Sequence, residues 1–152
     1  MAAELARDLA TNLAPGTRIV ASPSLRAQAT ASAIAEAAVI DSVTLDDRWR
    51  EADFGIAEGL IFEGLARVAP DLARRLADGE ADIDWPGGER AADLADRVAA
   101  AWRELVEGGD VVVVSHAGPI RIAIGLATGL RPHAVDLPAP GSVIRVPSSA
   151  SG

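Results

Sequence analysis

The 152-residue chain contains no cysteine, no lysine and no tyrosine, and only two histidines. Without cysteine there is no disulfide framework, no thiolate nucleophile and no cysteine-ligated metal. Two histidines, His116 and His133, are too few for a histidine-rich centre, so neither a metal nor a cofactor is expected. Positive charge is also scarce: 14 arginines face 22 carboxylates, for a net charge of −8. An acidic chain repels nucleic-acid phosphates and anionic lipid, which argues against either as a partner. Long apolar runs are missing too. The longest near-apolar stretch, Ile122 to Leu130, is interrupted by glycines and falls well short of the ~20 residues that span a bilayer. Met1 to Ala10 has acidic residues among its alanines and no basic segment of the kind that opens a secretory signal. These exclusions leave a soluble, cytoplasmic domain as the expectation. The lack of lysine beside abundant alanine reads as a coding bias and says nothing about function.

What is present is the composition of a packed domain, 49% hydrophobic and 24% charged, which excludes disorder. The length suits one domain, able to bury roughly two-thirds of its unfolded surface. Leu5, Leu9 and Leu13 form one stripe of a helix over 2–13, which Pro15-Gly16 ends. A short β-branched strand follows over 17–21, then a helix to about Ala38 and a second strand at 43–45. Residues 49–59 are polar and glycine-punctuated, a segment more often functional than connecting. Helices are predicted over 61–69, 71–77 and 89–106. Four consecutive valines within 110–115 mark a strand buried on both faces of a parallel sheet. A helix over 118–130 and a last strand over 140–146 complete the order. The pattern predicts an α/β domain over residues 1–147, a mostly parallel sheet flanked by helices, with a tail at 148–152.

Ligands of open α/β sheets bind beyond the carboxyl ends of the strands. Ser22, Pro23 and Arg26 leave the first strand there, and Ser115, His116, Ala117 and Gly118 leave the valine strand. A guanidinium and an imidazole over helix N-termini make an anion site suited to phosphate. Glu51, in the irregular segment, could act as a general acid. Taken singly, each residue also has a plainer role. Arg26 could form a surface ion pair, Glu51 could be a solvated loop charge, and Arg97 a structural ion pair. His133 suits a solvated or helix-capping position, and Trp49, Trp85 and Trp102 suit core or rim packing.

Taken together and in order, these segments resemble the histidine phosphatase (phosphoglycerate mutase-like) superfamily. Ala21-Ser-Pro-Ser-Leu-Arg-Ala-Gln-Ala-Thr-Ala31 resembles its S-P-L-x-R-A-x-x-T-A element, with Arg26 on the phosphate-binding arginine. Trp49-Arg-Glu-Ala-Asp-Phe-Gly-Ile-Ala-Glu-Gly59 resembles L-x-E-x-x-F-G-x-W-E-G, with Glu51 on the proton-donor glutamate and Ala57 replacing the tryptophan. Pro86-Gly-Gly-Glu89 resembles the P-G-G-E-S turn, with Arg90 in place of serine. Val114-Ser-His-Ala-Gly-Pro-Ile-Arg121 resembles V-S-H-G-G-x-I-R, with His116 on the second active-site histidine.

The resemblance implies catalytic roles for Glu51 and His116 and phosphate binding by Arg26, His116 and Ala117. It implies hydrolysis of a small phosphomonoester through a phosphohistidine. The family's nucleophile is the histidine of an Arg-His-Gly motif on a central strand upstream of the point where this chain begins. This sequence contains no Arg-His-Gly. A phosphoglycerate mutase-like domain without its first central strand, and without turnover, is therefore expected. Two other outcomes stay open: a phosphate-ester-binding pseudoenzyme, and an interaction module that pairs with another chain, including a second copy of itself.

Overall fold

The computed structural model describes residues 2–136 and 139–146. The proposed tail at 148–152 lies outside the described residues. The elements are α1 (Ala2–Ala10), β1 (Arg18–Ala21), α2 (Leu25–Ala38), β2 (Thr44–Leu45), α3 (Phe62–Val68), α4 (Pro70–Ala77), α5 (Ala91–Val106), β3 (Val111–Val114) and α6 (Ala117–Thr128). Short 3-10 turns occupy Asp47–Trp49, Gly55–Ala57 and Pro132–Ala134. No helix is long and apolar enough to cross a membrane among the described residues.

The three strands form one parallel sheet in the order β2-β1-β3, with Arg18 opposite Val111 and Ala21 opposite Val114. Side chains of a strand alternate between faces, and β1 shows it directly. Ile19 and Ala21 pack on one face with Ala6 and Leu9 of α1 and Ala31, Ile34 and Ala35 of α2. Val20 turns to the other face, against Trp49, Val98, Ala101 and Leu105. Fully burying a side chain such as Ile19 or Val98 contributes about 1.5–3 kcal/mol. A separate small cluster, built on Leu65, Leu72, Ala73 and Ile83, holds α3 and α4 together.

Three expectations need correction. α1 ends at Ala10 rather than at Leu13. Thr11 Oγ1 and Asn12 Nδ2 both donate to the Asp8 carbonyl, side-chain bonds that compete with helical ones and turn the chain early. The valine strand is half-buried along its whole length rather than buried on both faces, because β3 is the edge of the sheet. Finally, residues 140–146 form no strand. They line the same cavity as Val111 to Val114, a space of about 880 Å³ along the open edge of β3. A strand needs a ladder neighbour as well as β-propensity, and among the described residues β3 pairs only with β1.

Candidate active site

The carboxyl ends of β1 and β3 bring two chain reversals together. After β1, Ser22 and Pro23 lead into α2, whose N-cap is Ser24. After β3, His116 is the N-cap of α6 and makes no side-chain capping bond. Its ring is turned instead toward the end of β1. Nε2 lies 2.8 Å from Ser22 Oγ and 3.3 Å from Ser24 Oγ. Nδ1 lies 2.9 Å from the Arg26 guanidinium.

An arginine can only donate hydrogen bonds, so Nδ1 is the acceptor and the neutral ring carries its proton on Nε2. That proton points at Ser22 Oγ, which is fully buried. His116 is itself 8% exposed. Burial, and then the Arg26 charge, hold its pKa below the ordinary histidine value, with Glu51 opposing them. Both ring nitrogens are thus engaged, and the imidazole is neutral at pH 7.

Glu51 reaches the site from the irregular segment. Its Oε1 accepts from its neighbour Ala52 N at 3.0 Å and from Gly118 N at 3.2 Å, in the first turn of α6. The approach is close: a Cβ on Gly118 would sit 2.5 Å from Glu51 Oε1. A side chain at 118 would push the carboxylate away from the helix start.

Arg26, Glu51, His116 and Ala117 all line the same cavity, so the structure brings together the four residues singled out in the sequence. Arg26 is exposed, with one terminal nitrogen on His116. Ala117 is exposed at the start of α6. A guanidinium beside a helix N-terminus is an anion-binding arrangement, although Glu51 already takes the Gly118 N–H there. His133 is not part of it; it is exposed on the Pro132–Ala134 turn and faces a shallow depression formed with residues 78–82. Trp49 is core, as one of its plainer readings has it, at 1% exposure. Its Nε1 has no hydrogen-bond partner, and the residue lines the cavity.

Sequence reasoning passed over two sets of partners. Ser22 and Ser24 hold His116 across more than 90 residues of chain, and the only local hint was hydroxyls at a strand end. Arg97 forms an ion pair with Glu89, in line with its plainer reading, but it also binds the backbone that carries Glu51. Among the described residues, no group of histidine, aspartate and glutamate side chains could hold a metal ion.

Comparison with known proteins places this geometry in context. The model of the histidine phosphatase superfamily (branch 1) matches residues 1–146. The chain is 40% identical over 112 residues to the bifunctional protein Rv2228c of Mycobacterium tuberculosis, covering 72% of this chain and 30% of that protein. It is 35% identical over 117 residues to the probable phosphoglycerate mutase GpmB of Salmonella paratyphi B, covering 75% of this chain and 54% of that one. It therefore spans only 30% to 54% of the length of these curated relatives. Among solved structures, a mycobacterial glucosyl-3-phosphoglycerate phosphatase complexed with VO3 superposes with a TM-score of 0.74 at 28% identity, covering 87% of this chain and 66% of that one. YhfR of Bacillus stearothermophilus shares the fold, with a TM-score of 0.73 at 23% identity over 87% of this chain and 65% of its own.

Proposed function

The chain belongs to the histidine phosphatase superfamily, and from that premise we propose that its site binds small phosphomonoesters but does not itself supply the nucleophile. The observation that carries this reading is the state of His116. A nucleophilic imidazole needs a free lone pair, and the Nδ1 lone pair is spent on Arg26 while Nε2 holds a proton toward Ser22. His116 is suited instead to hold the Arg26 guanidinium in place, leaving its remaining N–H groups to donate to a phosphoryl oxygen. Arg26 and the α6 N-terminus supply positive potential for the charge spread over the equatorial oxygens.

In the complete reaction an imidazole from elsewhere attacks phosphorus and the P–O bond to the alcohol breaks. Glu51, protonated, gives its proton to the leaving oxygen. Water then attacks the phosphohistidine, Glu51 takes the water's proton back, and the imidazole is freed. The cavity along β3 offers the place for the missing group. In a parallel ladder alternate residues face alternate neighbours. Asp110 and Val114 accept from β1, which leaves Val111 and Val113 aimed at the open edge. A strand laid there would end beside Arg26 and His116, and its backbone could satisfy Trp49 Nε1. The chain shows no long insertion over the site, which favours a phosphatase over a mutase as the parent activity.

The open edge of β3 also favours a second reading, in which the slot takes a strand from a second copy of the chain. Incubating the 152-residue protein with an aryl phosphate and with phosphoramidate separates catalysis from binding. Negligible hydrolysis and no phosphohistidine are expected. Robust turnover that disappears in His116→Ala would overturn the reading. A monomer in size-exclusion chromatography would remove the second-copy alternative.

A further inference from the structure

We infer that Arg97, on the middle of α5, is a positioning residue that fixes the Glu51 carboxylate against α6 by gripping the loop from behind. The inference rests on the reading of Glu51 as the proton donor. Its geometry stands independently. Arg97 is partly buried, its side chain 14% exposed and that of its partner Glu89 11% exposed. The guanidinium divides its donors between two tasks. Nε and NH2 form a fork on the Glu89 carboxylate, at 2.7 and 2.9 Å. NH1 donates to the carbonyls of Arg48 and Arg50 at 2.7 and 2.9 Å, and NH2 also to that of Glu51 at 3.2 Å.

Three carbonyls of one short irregular stretch thus converge on a single planar cation. These carbonyls lie outside any strand or α-helix, and the guanidinium supplies them with donors at the partly exposed surface of the loop. The loop therefore has strong reason to follow Arg97. Glu89 closes the arrangement on its other side. Its backbone N–H donates to the Asp53 carbonyl at 2.9 Å, and Ile56 N donates to Pro86 O at 2.9 Å. A Cβ on Gly88 would meet the Asp53 carbonyl, and one on Gly55 the Pro86 carbonyl, so the two segments touch backbone to backbone. The hydrogen bonds from Arg97, and then its charge, hold the Glu89 carboxyl below the ordinary range against the effect of burial, so the fork stays ionised at neutral pH.

The consequence falls on one hydrogen bond. Glu51 has two acceptor contacts of different kinds: Ala52 N is its own neighbour, whereas Gly118 N belongs to a distant helix. The first survives any movement of the loop. The second survives only while the loop stays where Arg97 holds it. A lysine in place of Arg97 keeps the charge for Glu89 but, as a point cation on a flexible stem, cannot also hold three carbonyls in a plane.

The test is ¹⁵N–¹H NMR of backbone amides on the whole chain at one fixed pH, with no substrate, each protein read against its own Glu51→Gln derivative. In the parent protein the Ala52 and Gly118 amides are both expected to shift when Glu51 is replaced. In Arg97→Lys the Gly118 shift is expected to fall at least threefold while the Ala52 shift persists. A purely structural role would lower the melting temperature and leave the ratio of the two shifts unchanged, and that result overturns the inference. Should Arg97→Lys fail to fold, Glu89→Gln, which sets an amide donor against one of the two Arg97 donors and so loosens the guanidinium, carries the same test: an unchanged ratio in that variant overturns it. Orthophosphate added to the parent protein keeps the two readings apart. Absence of phosphate-induced shifts would count against the proposed function and leave the Arg97 result standing.

Discussion

Extending the chain upstream by a connecting loop and one apolar strand ending in Arg-His-Gly is expected to raise aryl phosphate hydrolysis by about 10³-fold or more. Removing the nucleophile from a covalent enzyme costs rate on that scale or beyond, and restoring it should return a comparable factor. The strand has a defined place to go. β3 is an edge, its valines are half-buried, and the cavity beside it is lined on one face from α1 and α2 and on the other from α5 and α6. Filling it would bury the free side of β3 and pair backbone groups that now face the cavity. Two further readouts follow from the geometry. Phosphoryl should appear on the added histidine and not on His116, and Glu51→Gln in the extended protein should slow hydrolysis most for esters with poor leaving groups. An extended protein that hydrolyses no faster than the 152-residue chain would contradict the account.

Arg26→Ala is expected to weaken orthophosphate or vanadate binding by about 100-fold, on the scale of the ~1.5–3 kcal/mol of a charge-assisted hydrogen bond. The guanidinium bonds directly to His116, and the chain as a whole is acidic, so Arg26 is a main source of positive potential at the site. The same substitution also frees His116 Nδ1. Because the Arg26 charge contributes to holding the imidazole below its ordinary pKa, its removal should let that pKa rise. Arg26→Lys should recover part of the affinity without restoring bidentate contact. Isothermal titration at fixed ionic strength measures the first effect and NMR the second. Unchanged anion affinity in Arg26→Ala would remove Arg26 from the site.

Much of this was legible from residue order alone, and the reasons differ by element. β1, α2, β3 and α6 were readable because each strand is a β-branched run that stops at a serine or histidine, directly before a helix. The placement of Arg26 and His116 followed from that junction. Residues 140–146 misled for the same physical reason that makes β-propensity weak: valine and isoleucine fit a pleated surface only when a neighbouring strand supplies one. The state of His116 was not legible, since its partner Ser22 lies 94 residues away. Nor was the role of Arg97, whose bonds to the Glu51 loop cross 46 to 49 residues and go to carbonyls that every residue possesses. Side-chain identity carries no trace of such a contact. What Gly118 shows is intermediate: a glycine in a helix start is visible in the sequence, but the carboxylate that requires it is visible only in space.

The central claim is that His116 is committed as a neutral, positioned donor and is not the nucleophile. Long-range ¹⁵N NMR of the imidazole, with pH varied and phosphoramidate present or absent, tests it most directly. The account predicts a neutral ring protonated on Nε2 at pH 7. Because burial and Arg26 lower the folded-state pKa, the ring should take up a proton only below the ordinary histidine value of about 6.5. Its contribution to stability should then be full above that value and be lost as pH falls through the lowered pKa. The nitrogens should stay free of phosphorus coupling. A ring protonated on Nδ1 at pH 7, an imidazolium persisting above pH 6.5, or a phosphorus–nitrogen coupling at His116 would contradict it.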